Sequence, residues 1–157
     1  MNDTKRLELI SEAVLYCQRV RDLGMPVSAY SKALREPIHF LWERRFGSKE
    51  KCATYRSKAA IGISLKNRQL IYDHSIPFRY LQKALLAIES PSLLQIETVL
   101  EKYGCTALIT INEDFQLKAS GFNHRMPHDW DGIDPLARYR SVRIELLKNE
   151  LFMRHVE

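Results

Sequence analysis

Thr106-Ala107-Leu108-Ile109-Thr110-Ile111 is the most strand-like stretch of the chain, short, apolar and rich in β-branched side chains that suit a pleated surface. Gly104 precedes it as a helix C-cap, and Asn112-Glu113-Asp114 follows it in polar residues that favour a turn. Upstream, Ile61, Ile63 and Leu65 alternate with small or polar residues, Lys66-Asn67-Arg68 is turn-like, and Gln69–Tyr72 is apolar again. That segment reads as a short hairpin, or as a strand leading into Asp73. These two places hold the β-structure that the pattern supports.

Working outward, the remaining periodicity is helical. Leu7, Ile10, Val14, Cys17 and then Val20 or Arg21 recur at steps of three and four, which predicts a helix over 4–22. Asp3 or Thr4 can cap its start, and Gly24-Met25-Pro26 stops it. Ser28 or Ser31 opens a second helix through Leu34, and Pro37 kinks or restarts it because it has no donor N–H. A third helical stretch covers Ile38–Arg45, and the region 48–60 reads as helical and exposed. Pro77 suits the first turn of a helix over Phe78–Ile88. Ser90-Pro91-Ser92 starts another over Leu93–Tyr103, and Leu136, Tyr139, Val142, Leu146 and Leu147 predict a last helix over Pro135–Met153. The fold class expected is α+β, a mainly helical single domain over 1–157, with a basic helical half over 1–60 and an α/β half over 61–157.

Composition narrows the function classes. At 157 residues, with 45% hydrophobic and 27% charged residues, the chain has ordinary globular composition and the size of one domain. No apolar stretch approaches the roughly 20 residues of a membrane span, and the charged N-terminus lacks a secretory leader's apolar core, so a cytoplasmic protein without membrane contact is expected. Cys17, Cys52 and Cys105 are odd in number and widely spaced, which reads as buried reduced thiols rather than a disulfide framework or a four-cysteine zinc site. Gly-rich phosphate loops, GxSxG, HExxH and paired CxxC motifs are absent from the sequence.

The net charge of +5 is unevenly spread. Residues 1–72 carry 14 Lys/Arg against 7 Asp/Glu, while 73–157 carry 10 against 12. Arg44, Arg45, Lys49, Lys51, Arg56, Lys58, Lys66 and Arg68 crowd into 44–68 with Glu50 as the single acid there. Such a concentration attracts polyanions, and Trp42, Phe46 and Tyr55 interleave stacking groups with the cations. The partner expected is nucleic acid, DNA or RNA, or an acidic protein surface; the plain alternative is a solvated face that keeps the protein soluble.

Leu70-Ile71-Tyr72-Asp73-His74-Ser75-Ile76-Pro77, taken with Leu108-Ile109-Thr110-Ile111-Asn112-Glu113-Asp114, resembles the HNH, or ββα-metal, nuclease motif. The likeness covers roughly residues 61–125. It implies that Asp73 binds a divalent metal, Mg²⁺ or Mn²⁺, and that His74 is the general base for the water attacking phosphorus. Glu113, Asp114 and His124 are the remaining metal-ligand candidates. The chemistry is self-consistent, since a hard cation wants carboxylate oxygen and an imidazole titrates near neutral pH. Two departures stand out: Phe115 occupies the place of the usual amide or imidazole, and a helical insertion lengthens the spacing.

The ordinary structural alternative makes Asp73 a turn or cap and packs His74 beneath the following helix. The loop Asn123–Pro135 carries His124, His128, Asp129, Asp131 and Asp134 as further possible ligands. It reads equally as a packed loop anchored by Met126 and Trp130, ending in an Asp134-Pro135 helix start. The functional expectation is therefore an HNH-like metal-dependent endonuclease. The alternatives are a non-catalytic inhibitor or regulator on a degenerate nuclease-like scaffold, and an adaptor that binds protein through Phe40, Trp42 and Phe46.

Overall fold

Leu7, Ile10, Val14 and Cys17 lie buried along one side of α1 (Asp3–Asp22), as their spacing predicts. In the computed structural model, which describes residues 1–156, Asn2 caps this helix by accepting a hydrogen bond from the Lys5 amide at 2.9 Å. The helix stops as Gly24 takes up φ +94, a left-handed conformation that glycine adopts without steric cost. Next comes α2 (Val27–Pro37), which begins directly after Pro26 rather than at a serine cap, and buries Tyr30 and Leu34.

Beyond Pro37 the expected helix over Ile38–Arg45 is a π-helical turn, Ile38–Glu43. Pro37 has no N–H to keep the regular ladder in step, and an extra residue is taken into the turn. The Arg44 amide accordingly donates to the His39 carbonyl, five residues back, at 3.1 Å. The exposed helix expected over 48–60 shrinks to a single turn, α3 (Lys49–Cys52). It is followed by a short strand, β1 (Tyr55–Ser57), and a 3-10 turn at Lys58–Ala60.

The order then runs β2 (Leu70–His74), α4 (Phe78–Leu86), α5 (Leu93–Tyr103), β3 (Thr106–Thr110), α6 (Ile111–Ala119), α7 (Ala137–Ser141), β4 (Leu146–Lys148) and α8 (Glu150–Val156). The sheet order is β2-β3-β1-β4, with β3 antiparallel to β2, parallel to β1, and β1 antiparallel to β4. Of the two readings of 61–72, a hairpin or a strand leading into Asp73, the chain adopts the second. Gly62 sits at φ +79, and the Ser64 side chain caps a 3-10 turn at Leu65–Asn67, which leaves β3 as the partner of β2.

The last helix expected, Pro135–Met153, is the main correction to the predicted elements. Arg143 takes φ +61, which ends α7, and Leu146–Lys148 pairs with β1 instead of continuing the helix. Asn112-Glu113-Asp114, expected as a turn, forms the first turn of α6, where Thr110 and Glu113 make a reciprocal capping box.

Three apolar clusters hold these elements together. The largest joins α1, α2, the π-turn, α4 and α5 through Ile10, Val14, Leu34, Ile38, Leu85 and Leu100. Truncating one of these fully buried Leu residues to Ala costs about 2–5 kcal/mol. A second cluster, Ala107, Ile109, Leu117, Tyr139 and Ile144, covers one face of the sheet. A third, Ala53, Ala60, Leu70 and Leu108, with Tyr72 against it, covers the other. The protein is thus a mainly helical α+β fold with a small mixed sheet. Cys17 and Cys52 are buried free thiols and Cys105 is partly buried. Among the described residues no helix is long and apolar enough to cross a membrane.

Candidate functional site

Successive residues of a strand project to opposite faces, and Asp73 and His74 close β2. Each therefore enters a different network. On the face of the second cluster, Asp73 Oδ2 accepts from Arg138 Nη2 and from the Tyr139 hydroxyl, both at 2.6 Å. The Arg138 side chain is 1% exposed and makes further bonds from Nε to the Ser75 carbonyl at 3.0 Å and from Nη1 to the Phe122 carbonyl at 2.6 Å. Burial pushes the Tyr139 hydroxyl far above its ordinary pKa, and the Asp73 charge adds to this. This network ties the end of β2 to α7 and to the loop after α6, and it consumes Asp73 as a structural acceptor.

On the opposite face, His74 meets the π-turn. His74 Nε2 lies 2.5 Å from Glu43 Oε1, and His39 Nδ1 lies 2.8 Å from Glu43 Oε2. One carboxylate thus holds two imidazoles, one from the turn that closes the helical cluster and one from the end of the sheet. His39 and Glu43 are four residues apart on the same side of the turn, which brings them together locally. The Glu43 side chain is 1% exposed, whereas those of His39 and His74 are 21% and 24% exposed. Burial pushes the Glu43 carboxyl up, but hydrogen bonds and charge from His74, and then from His39, outweigh it and bring the group below its ordinary value. With its charge retained, Glu43 accepts an N–H from each ring, and the opposite nitrogens, His39 Nε2 and His74 Nδ1, have no hydrogen-bond partner among the described residues.

Tyr72, also on this face of β2, lies between the histidines, its ring centroid 6.3 Å from that of His39 and 6.4 Å from that of His74. Lys49 Nζ stands 5.3 Å from the Tyr72 ring, which neighbours both imidazoles. Burial first, and then the Glu43 charge, raise the Tyr72 hydroxyl well above its ordinary pKa; the Thr106 hydroxyl offsets this only in part, without reaching hydrogen-bond geometry. Phe40 is 59% exposed beside His39, and the Arg44 guanidinium lies 6.0 Å from its ring.

Several of the other basic residues are engaged in contacts of their own. Arg45 is sandwiched by Trp42 at 4.3 Å and Phe46 at 4.6 Å, and its burial lowers its pKa. Lys58 pairs with Glu145 at 3.4 Å across β1 and β4, and Arg56 reaches the Ile63 carbonyl at 3.4 Å. Lys51, Lys66 and Arg68 are exposed, with Arg68 in a left-handed turn at φ +57. Phe46 packs edge-on against Phe152 of α8, so it is an internal contact rather than a free anchor.

The metal ligands implied by the HNH likeness do not converge. Glu113 Oε2 accepts from Ser57 Oγ at 2.6 Å and from the Thr110 amide at 2.8 Å, as the cap of α6. Asp114 pairs with Lys118 at 2.5 Å, and His124 bonds only to the neighbouring Asn123 at 2.9 Å on an exposed loop. Asp73 is held by Arg138 and Tyr139, on the face away from His74. Among the described residues no three His, Cys, Asp or Glu side chains are grouped to hold a metal ion. Asp73 Oδ2 is engaged by two buried donors and the other candidates stand in contacts of their own, so these side chains do not gather around one cation.

The loop after α6 takes the anchored reading. Met126 is buried with its amide donating to the Tyr80 hydroxyl at 3.1 Å, and Trp130 packs edge-on against Tyr80. Asp131 Oδ1 accepts from the amides of Ile133 and Asp134, and Asp134 pairs with Arg140 at 2.8 Å. Sequence reasoning reached His74 but missed Glu43, His39, Arg138 and Tyr139. The readable signal was the pair His39 and Glu43 at helical spacing, with Glu43 standing between Trp42 and the basic Arg44-Arg45. No family model matches the chain, and neither the comparison with curated proteins nor that with solved structures finds a match.

Proposed function

We propose that the protein binds nucleic acid and cleaves phosphodiester bonds by acid–base catalysis at His39 and His74. The observation that carries this reading is the buried Glu43 carboxylate bonded to both rings. A carboxylate behind an imidazole fixes its orientation and stabilises its protonated form, the arrangement that makes histidine a useful base or acid. Two such rings on one carboxylate can supply one proton acceptor and one proton donor. Arg44 over the Phe40 ring and Lys49 over the Tyr72 ring offer positive charge to a phosphate, and exposed Phe40 offers a stacking face to a base. The proposal keeps His74 as the candidate catalytic residue and replaces the metal with His39 as its partner. The experiment is cleavage of labelled nucleic acid by the wild type in excess chelator, with His39→Ala and His74→Ala as comparisons.

A second reading is binding without turnover. The observation in its favour is that Asp73, the acid of the HNH-like segment, is engaged by Arg138 and Tyr139 as a structural group. The same assay decides, since this reading predicts retention of the labelled strand intact.

A further inference from the structure

We infer that the substrate is single-stranded RNA, cleaved through its own 2′-hydroxyl, an inference that rests on the proposed phosphodiester-cleaving role of the histidine pair. An unactivated phosphodiester needs a nucleophile, a base and an acid. Two imidazoles on one carboxylate can accept one proton and deliver another, and Lys49 over the neighbouring Tyr72 ring adds positive charge. The carboxylate at the pair, Glu43, is engaged between the histidines, while Asp73 lies on the other face with Arg138 and Glu113 serves a helix cap. What the group of side chains does not itself supply is a strong nucleophile.

RNA brings one, because a 2′-hydroxyl is tethered next to its own phosphorus. An intramolecular nucleophile in line with its target acts at an effective concentration of about 10⁵–10⁸ M. A site built from an acid and a base alone is matched to that substrate. In the step, one imidazole takes the proton of the 2′-hydroxyl as the 2′-oxygen–phosphorus bond forms. The other, as imidazolium, gives its proton to the 5′-oxygen as the phosphorus–5′-oxygen bond breaks. The products are a 2′,3′-cyclic phosphate and a 5′-hydroxyl, and the pair ends with its proton exchanged from one ring to the other. No oxidant, reductant or further reactant enters.

The surroundings favour an unpaired strand. His39 and His74 are only about a quarter exposed, at the junction of the π-turn and the sheet edge, where a phosphate on a flexible strand can approach. Phe40 and the Arg44 guanidinium over its ring form a face on which an unstacked base can lie, whereas a paired base in an A-form helix presents no such face.

The test uses the intact wild-type chain in excess chelator on three oligonucleotides of one sequence: all-RNA, all-DNA, and RNA carrying 2′-O-methyl at every position. Products are separated and their ends identified by mass. The inference predicts cleavage of the RNA alone, with 2′,3′-cyclic phosphate ends, and slower cleavage once a complementary strand is annealed. Cleavage of the DNA or the 2′-O-methyl strand at the RNA's rate overturns the 2′-hydroxyl inference while leaving phosphodiester cleavage standing. If all three strands stay intact, the proposed cleaving function falls as well, and the inference with it. Because every arm uses the wild type, no outcome depends on how a variant folds.

Discussion

Asp73 and His74 are adjacent in sequence and serve separate networks on opposite faces of β2, Asp73 held by Arg138 and Tyr139 and His74 by Glu43. This relationship puts the side chains of the two HNH-like residues in different networks, while Arg138 Nη2 also donates to the His74 backbone carbonyl. A metal-binding Asp and a catalytic His need to face one reacting phosphate, and here the strand's own alternation separates them. The consequences can be measured one residue at a time.

Asp73→Asn is expected to act on stability. Its carboxylate takes charge-assisted bonds from a nearly fully buried guanidinium and a buried phenol, so the change costs about 1.5–3 kcal/mol. Arg138→Ala, which removes one of the two donors to Asp73 and a donor to the Ser75, Phe122 and His74 carbonyls, costs more, about 3–5 kcal/mol. Urea unfolding of both variants checks this. An Asp73→Asn protein as stable as the wild type would show that the network is not holding the fold.

Glu43→Gln is expected to change how stability depends on acid. The folded Glu43 carboxyl titrates below its ordinary value, so its contribution is fully present above the unfolded pKa of about 4.3. That contribution is lost as pH falls through the lower, folded pKa. The wild type should therefore shed stability in this acid window more steeply than the variant. At neutral pH the variant should be weaker by about 1–3 kcal/mol, from a buried acceptor lost. Melting curves taken across the window test the sign, and parallel curves for the two proteins would contradict it.

Salt dependence should separate the cations beside the histidines from those elsewhere. Neutralising one contact to a single strand flattens the slope of log K against log salt by about 0.7. Arg44→Ser and Lys49→Ser should each show that change in binding titrations of a single-stranded oligonucleotide. Arg45→Ser should leave the slope alone and instead destabilise the fold, because its guanidinium is stacked between Trp42 and Phe46. An unaltered slope for Lys49→Ser would place the phosphate contact elsewhere.

The sequence made some of this legible and hid the rest for definite reasons. Leu7, Ile10, Val14 and Cys17 announced α1 by spacing alone, and Thr106–Thr110 announced β3 by its β-branched content. The same periodicity misled at the C-terminus, where Leu136, Tyr139, Val142 and Leu146 mimic a helical face. Pairing of Leu146–Lys148 with Tyr55–Ser57 overrides it, and a contact between such distant segments leaves no local pattern. The capping box at Thr110 and Glu113 was readable as a Thr-x-x-Glu signature, and would have moved Glu113 from metal ligand to helix cap. The site was half legible. His74 stood out beside a proline-started helix, but its partner Glu43 is 31 residues away, and Arg138 lies 65 from Asp73. Hydrogen bonds across that much chain become visible only once the strand and the π-turn are set side by side.

His39→Ala gives the most direct measurement, because the paired-histidine account needs this residue and the metal-nuclease account does not. Cleavage of a labelled single-stranded RNA is followed in excess chelator, with the melting temperature of each protein recorded alongside. The account predicts that the wild type cleaves despite the chelator, with a bell-shaped pH profile, and that His39→Ala is slower by about 10²–10⁴-fold while still folded. Cleavage that chelator abolishes, or a His39→Ala protein as fast as the wild type, would contradict it.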